Sequence, residues 1–436
     1  MCPPEHRIAP TDIDSTRPAR TLEHFGGKSA NPSIAVYVRS YLRVDASATL
    51  GRGPSPKVGH TESPDSRRMV MYPTLMLSGM DPIRFAIIGS GWRTEFYVRV
   101  ARALPEMFEV TGVQTRDAER AAVITHDWAV PGYLTTSELL SADPAFVVVS
   151  VPWAVTPTLL RELSERGVPV LTETPPAPDV DGLRALKPLA DAGARIQVAE
   201  QYQFQPLHAA RLTLTASNRL GTVSEAQLSV AHGYHGIDLM RRFLDLDEDA
   251  PAIIRGMRFG SPLVAGPDRD GPPTADTTSE SLQTIAWFDF GDRLGVMDFA
   301  DEQYFSWVRS LRLMVRGDRG EIDGHTVRYV EEVTIPMTLE LVRHDTGQAG
   351  NLEGHHLSGI TCGAEWLYRN PFLPARLSDD EIAVATTLAR MYQWLDGGPP
   401  ICSLAHGAQD HYLTLLMDEA AESGQPVRVP GHIWAA

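Results

Sequence analysis

Several things are scarce in this chain. Among 436 residues there are 3 cysteines, Cys2, Cys362 and Cys402. Odd in number and scattered, they exclude a disulfide framework and zinc-type spacing, and fit a reducing, cytoplasmic setting. Lysine occurs only at Lys28, Lys57 and Lys187, with arginine supplying the remaining basic charge. Past residue 57, chemistry that needs a lysine has only Lys187. No apolar run reaches the roughly 20 residues that span a bilayer. The stretch 69–80 after Arg67-Arg68 is short and broken by Pro73, which argues against a signal sequence. Positive charge is also in deficit. A formal net charge of -16 argues against nucleic acid or an anionic membrane as main partner, yet leaves room for an anionic cofactor at a local positive site.

Against these absences stands an ordinary globular composition, 43% hydrophobic and 22% charged, in a chain long enough for two sizeable cores. Residues 1–80 lack periodicity and are rich in Pro, Ser, Gly and charge, so a disordered extension is expected there. From Pro82, strand and helix patterns alternate. Ala145 to Val151 is continuous and β-branched, as in a strand buried on both faces, and Asp179 to Ala192 reads as one helix. This alternation predicts an α/β fold, a doubly wound parallel sheet over 81–202. Past Gln205-Pro206, two helices flank a strand, and alternating strands then run from Ile253 to Val330. The pattern predicts a second, α+β domain over 203–436 with a large open, mostly antiparallel sheet. Helices are expected at Gly359–Tyr368, Ser378–Leu395 and Ala405–Glu422, with the final helices, 378–423, packing back.

The chemistry gathers at strand ends. Strand Arg84–Ile88 runs into Gly89-Ser90-Gly91-Trp92-Arg93 and then a helix. Glycine lets a pyrophosphate approach the main chain, and the helix N-terminus offers free N–H groups. The fingerprint G-x-G-x-x-G is incomplete, with Thr94 in place of its third glycine. About 20 residues on, where an acid would bind a ribose with both hydroxyls free, stand Thr115 and Arg116. A hydroxyl and a guanidinium suit a 2′-phosphate, so NADP(H) is favoured over NAD(H); the competing reading makes Arg116 a solvated turn residue and Asp117 a helix cap. Val151-Pro152-Trp153 and Glu173-Thr174-Pro175 end successive parallel strands, where ligands bind in such sheets.

In order and spacing these segments, with Asp117-Ala-Glu-Arg120, Tyr202-Gln-Phe-Gln-Pro206, His235-Gly-Ile-Asp238 and Arg316-Gly-Asp-Arg-Gly-Glu321, resemble the glucose-fructose oxidoreductase, inositol dehydrogenase and rhizopine catabolism (Gfo/Idh/MocA) family. The resemblance runs from about Pro82 to the C-terminus. It implies an NAD(P)-binding Rossmann domain, a second domain whose open sheet faces the active site or a partner subunit, and hydride transfer between nicotinamide and a small polar substrate such as a sugar or cyclitol. It also implies a homo-oligomer formed through that sheet. Three departures stand out. The family's Glu-Lys-Pro lysine is Thr174, the aspartate of its Asp-x-Gly-x-His motif is Ala231, and the arginine before Phe-x-Pro is Gln203.

What remains for catalysis is His235, whose imidazole can accept or donate the substrate's hydroxyl proton, with Asp238 one turn on to orient it and the Thr174 hydroxyl as hydrogen-bonding partner. Tyr202, Gln203, Tyr234 and His235 are the expected substrate-binding residues, with His232 a further donor. His355-His356 and Cys362 offer no complete ligand set, so no metal is expected. The missing lysine and aspartate keep two other readings open, a cofactor-binding sensor without turnover and a redox-neutral elimination or glycoside cleavage on bound NAD.

Overall fold

The computed structural model describes residues 81–269, 271–347 and 354–435; the extension expected over 1–80 lies outside them. Strand β1 (Ile83–Ile88) leads into α1 (Trp92–Ala103), then β2 (Phe108–Gln114), α2 (Ala118–Asp127), β3 (Gly132–Tyr133), α3 (Thr136–Leu140), β4 (Phe146–Val149), α4 (Thr156–Glu165), β5 (Val170–Thr172), α5 (Val180–Arg184), α6 (Lys187–Asp191) and β6 (Ile196–Val198). The strands form one parallel sheet in the order β3-β2-β1-β4-β5-β6. Every side chain of β4, Phe-Val-Val-Val, is buried, because helices cover both faces of such a sheet. Phe85 pairs in register with Phe146 and stacks on it at 5.7 Å. The strand order reverses between β1 and β4, with successive connections running outward on either side, which opens a crevice at their carboxyl ends.

The single helix expected over Asp179–Ala192 is two, α5 and α6. Pro188 sits in the first turn of α6, where it has no N–H for the carbonyl four residues back and its ring would clash with it.

The second half consists of α7 (Pro206–Ala216), β7 (Val223–Ser229), α8 (Gly233–Phe243), β8 (Ala252–Val264), β9 (Thr278–Asp289), β10 (Leu294–Ala300), β11 (Arg312–Gly317), β12 (Gly320–Asp323), β13 (Thr326–Glu332), β14 (Ile335–Thr346), β15 (His356–Cys362), β16 (Glu365–Arg369), α9 (Asp379–Leu395), α10 (Leu404–Ser423) and β17 (Val427–Val429). Eleven strands make one sheet, β16-β15-β14-β13-β12-β11-β7-β10-β9-β8-β17. It is antiparallel except where β10 lies parallel to β7. The helix expected over Gly359–Tyr368 is instead the hairpin β15–β16. Its Ile, Thr, Trp and Tyr residues favour strands, and Gly363, at φ +59°, makes the turn.

Along this sheet Ala226, Leu228, Ile254, Phe288 and Val315 are buried, while Met257, Phe259, Trp287 and Trp366 are exposed. Alternation in a strand puts the two sets on opposite faces. Helices α8 and α10 pack on one another, and α10 also lies against β8 and reaches β6 of the parallel sheet. Helix α9 packs on α1 and on the turn 202–204. It starts with a capping box in which Ser378 and Glu381 each take the other's backbone N–H.

Candidate active site

A cleft of about 870 Å³ runs from the glycine turn after β1 to the start of α8. At one end, Gly89 has φ +121°, and a Cβ there would lie 1.8 Å from the Ser150 carbonyl oxygen. Gly91 caps α1 with extended backbone and no side-chain hydrogen bond, and a Cβ on it would meet nothing within 4 Å. The first N–H groups of α1 thus face open space beside a polypeptide surface stripped of side chains, which fits a pyrophosphate. Thr94 explains why the third glycine is dispensable. Fully buried, it donates its hydroxyl to the Gly89 carbonyl at 3.1 Å and ties the turn from within.

At the ribose end, Ser90 Oγ donates to Thr115 Oγ1 at 3.2 Å. Arg116 beside it is exposed, lines the cleft and has no acidic partner among the described residues. Asp117 caps α2, accepting from the N–H groups of Glu119 and Arg120. Arg120 donates to the Ser90 carbonyl at 3.0 Å.

Further in, Val151, Pro152, Trp153, Glu173 and Thr174 line the cleft with Trp92 and Arg93. Glu173 accepts from Arg93 Nε at 2.8 Å and from the Tyr97 hydroxyl. Burial works against charge on Arg93, but Glu173 and Tyr97 beside it hold the guanidinium protonated. Pro175, expected on the cofactor, does not line the cleft. It follows a cis peptide bond and is buried in the fold.

At the α8 end, His235, Tyr234, Tyr202, His232 and Tyr304 line the wall. The Thr174 hydroxyl offsets part of the rise that burial gives the Tyr234 phenol, so the residue at the lysine position stands beside one of the expected substrate residues. Tyr202 donates to the Tyr304 hydroxyl at 3.2 Å, and that oxygen lies 2.8 Å from His232 Nδ1. Burial, then His235 nearby, pushes the His232 imidazole down to about 4.

His235 does not take Asp238 as its partner. Its Nδ1 lies 2.6 Å from Glu200 Oε2. Asp238, fully buried and outside the cleft lining, receives Arg242 Nε at 2.7 Å and 2.9 Å and His406 Nε2 at 3.0 Å. Two cations satisfy a buried carboxylate better than a neutral imidazole would. Gln203 is also corrected. Buried, it donates to the carbonyls of Glu200 and Ile401 at 3.3 and 3.2 Å, and so braces the turn rather than facing the cleft. Glu200 itself escaped notice, although it lies two residues past the carboxyl end of β6. The strand-end rule that singled out Val151 and Glu173 applies equally to it.

Asp238, Cys402, His406 and Asp410 bring ligand-type atoms within 4.8 Å of one another, but Arg242 and Arg241 already neutralise the two carboxylates. Burial works against charge on His406, but Asp410, Asp238 and Glu248 outweigh it and raise its pKa to about 9. A raised folded-state pKa gives stability that is complete below the unfolded value of about 6.5 and is lost as pH climbs through about 9. Thermal melts from pH 6 to 9.5 are therefore expected to fall more steeply for the native protein than for His406→Asn; equal slopes would refute the linkage.

A side-chain-free glycine turn after β1 and a histidine at the far wall of the same cleft stand on a Rossmann-type fold. Residues 83–200 match the model of the oxidoreductase family with an NAD-binding Rossmann fold, Gfo/Idh/MocA. The chain is 28% identical over 162 residues to an uncharacterized oxidoreductase of Rhizobium meliloti, a match covering 34% of this chain and 45% of that protein. It is 27% identical over 249 residues to a myo-inositol dehydrogenase of Streptomyces leeuwenhoekii, covering 55% of this chain and 75% of the relative. A solved oxidoreductase from Agrobacterium radiobacter, in complex with NAD+, L-tartaric acid and magnesium, shares the fold with a TM-score of 0.55 at 15% identity, covering 80% of this chain and 98% of that one. Among the described residues no helix is long and apolar enough to cross a membrane.

Proposed function

We propose that the protein is an NADP(H)-dependent oxidoreductase acting on a CH–OH or C=O group of a small polar substrate, a sugar, cyclitol or related metabolite. The observation that carries this reading is the shared cleft. The side-chain-free turn Gly89-Ser90-Gly91 and the imidazole of His235 line the same crevice. Bound there, the nicotinamide would supply or accept the hydride. Gly89, Ser90, Gly91, Trp92 and Arg93 hold the pyrophosphate, Thr115 and Arg116 the ribose phosphate, and Val151, Pro152, Trp153, Glu173 and Thr174 border the nicotinamide. Tyr202 and Tyr234 shape the substrate end. His235 takes the hydroxyl proton on oxidation and returns it on reduction, with Nε2 as the working atom because Nδ1 is engaged by Glu200. Thr174, beside Tyr234, presents a hydroxyl where the family has a lysine, so the proton traffic rests on the imidazole.

The exposed apolar row Met257, Phe259, Trp287 favours a homo-oligomer formed face to face through the open sheet, since such a patch on a monomer marks an interaction surface.

Titration with NADPH and NADH tests the reading. NADPH is expected to bind more tightly. Arg116→Ala is expected to weaken NADPH about tenfold or more, the worth of a charge-assisted hydrogen bond, and to leave NADH unchanged. Equal losses for both would remove Arg116 from cofactor choice, and binding of neither would sink the proposal. Turnover with a polyol panel headed by myo-inositol then addresses the substrate.

A further inference from the structure

The family motif supplies an aspartate four residues before its histidine, and here that position is Ala231, fully buried. A carboxylate arrives instead from another element. Glu200, past the end of β6, and His235, in the first turn of α8, are both buried, at 2% and 7% exposure. Glu200 Oε2 lies 2.6 Å from His235 Nδ1, while Oε1 accepts the Tyr202 N–H at 3.1 Å. Both carboxyl oxygens are thus held, and the ring has one nitrogen left, Nε2, with no hydrogen-bond partner among the described residues. Resting on the oxidoreductase reading above, we propose that Glu200 is the proton partner of His235: the pair stores one transferable proton, which Nε2 exchanges with the substrate oxygen while Nδ1 exchanges with Glu200.

The surroundings favour a pair without net charge. Facing His235 are Arg93 and Glu173, which pair with each other at 2.8 Å, Asp380 from α9, Asp238 within α8, and the neutral rings of Tyr202, Tyr234 and His232. Facing Glu200 are Asp238, Asp410 and Arg242. Burial first, then Arg93, holds the imidazole down at about 3. Burial first, then Asp238, pushes the Glu200 carboxyl well above the usual carboxylate range. At neutral pH the carboxylic acid therefore donates to Nδ1, and Nε2 carries the hydrogen that faces the cleft.

The balance closes in both directions. In carbonyl reduction the substrate carbon gains the hydride, its oxygen gains the Nε2 proton, and the Glu200 proton moves to Nδ1. The pair is left as carboxylate and neutral imidazole, one proton short, and solvent refills it. Oxidation runs the same exchange backwards. Glu200 is a positioning residue, since it never touches the substrate.

The test uses the full-length protein without ligand, so its outcome is independent of whether any dinucleotide or substrate is turned over. Infrared difference spectra of the native protein minus Glu200→Gln are expected to show the carbonyl stretch of a protonated carboxylic acid from about pH 5 to 8. ¹⁵N NMR is expected to show His235 as the neutral Nε2–H tautomer. In Glu200→Gln the His235 resonances should titrate differently, whereas Glu200→Asp, with its carboxyl retained, should restore the acid band; circular dichroism checks that both fold. A Glu200 that is ionised through this range beside an Nδ1–H imidazole, or a His235 spectrum untouched by Glu200→Gln, overturns the proposal. Failure of NADPH to bind the native protein would instead strike the oxidoreductase reading and leave the spectroscopic result standing.

Discussion

His235→Ala is expected to lower turnover by about 10²–10⁴-fold, the usual worth of a general acid–base group, while NADPH affinity stays within about twofold. The expectation follows from placement. His235 lines the wall at the α8 end of the cleft, whereas the residues proposed to hold the dinucleotide cluster at the ends of β1, β2, β4 and β5. The other proton-bearing side chains on that wall are either held far from ionisation or already engaged. Burial first, then Tyr304, raises the Tyr202 hydroxyl far beyond neutrality, and Tyr234 is raised likewise, chiefly by burial. Tyr304 is pushed up to about 12 and is engaged with His232. His232, nearest in kind, is bonded through Nδ1 to Tyr304 and would give only weak rescue. Comparing kcat with dinucleotide Kd in the variant checks both halves. Undiminished turnover would remove His235 from the chemistry, and a matching loss of NADPH affinity would make it a cofactor-binding residue instead.

Gly89→Ala is the second large effect. A methyl at φ +121° is strained by itself, and here it would point into the Ser150 carbonyl 1.8 Å away. That oxygen belongs to the backbone just past β4, so no rotamer change relieves the clash and β1 must separate from β4. We expect a loss of about 3 kcal/mol or more in stability and loss of dinucleotide binding. Gly91→Ala is the contrasting variant. Gly91 has an extended φ of -81° and open space around its missing Cβ, so its melting temperature should hardly move while the new methyl enters the path of the pyrophosphate and weakens NADPH. If Gly89→Ala melts like the native protein, the tight approach of β1 and β4 is not as described.

Local pattern was enough for the parallel sheet. Buried strands such as Phe146–Val149 are continuously apolar, and polar turn and cap residues punctuate them, Asp117 before α2 and Ser378 before α9 among them. It failed where two readings of the same residues compete. Gly359–Tyr368 has enough apolar residues for a helix face, but β-branched and aromatic side chains pair better across a hairpin. Asp179–Ala192 has helical composition, yet one proline splits it. The meander was legible only in part, with β12 and β14 unassigned, because β12 is only four residues long and β14, although interior to the sheet, has a single buried residue and so no apolar face to impose alternation.

The sequence by itself determined that a glycine turn follows the first core strand, that hydroxyl and guanidinium replace the usual acid after the second, and that lysine is missing from the site. These are properties of residue type and spacing along one chain direction. Only the tertiary structure decided which carboxylate meets His235. Asp238, three residues away, was the natural choice by helical spacing, but Arg242 and His406 claim it. Glu200, 35 residues away in sequence, arrives because β6 and α8 converge at the same crevice. Partners across separate elements are chosen by competition among charges brought together in a dry interior, and no local pattern records that competition.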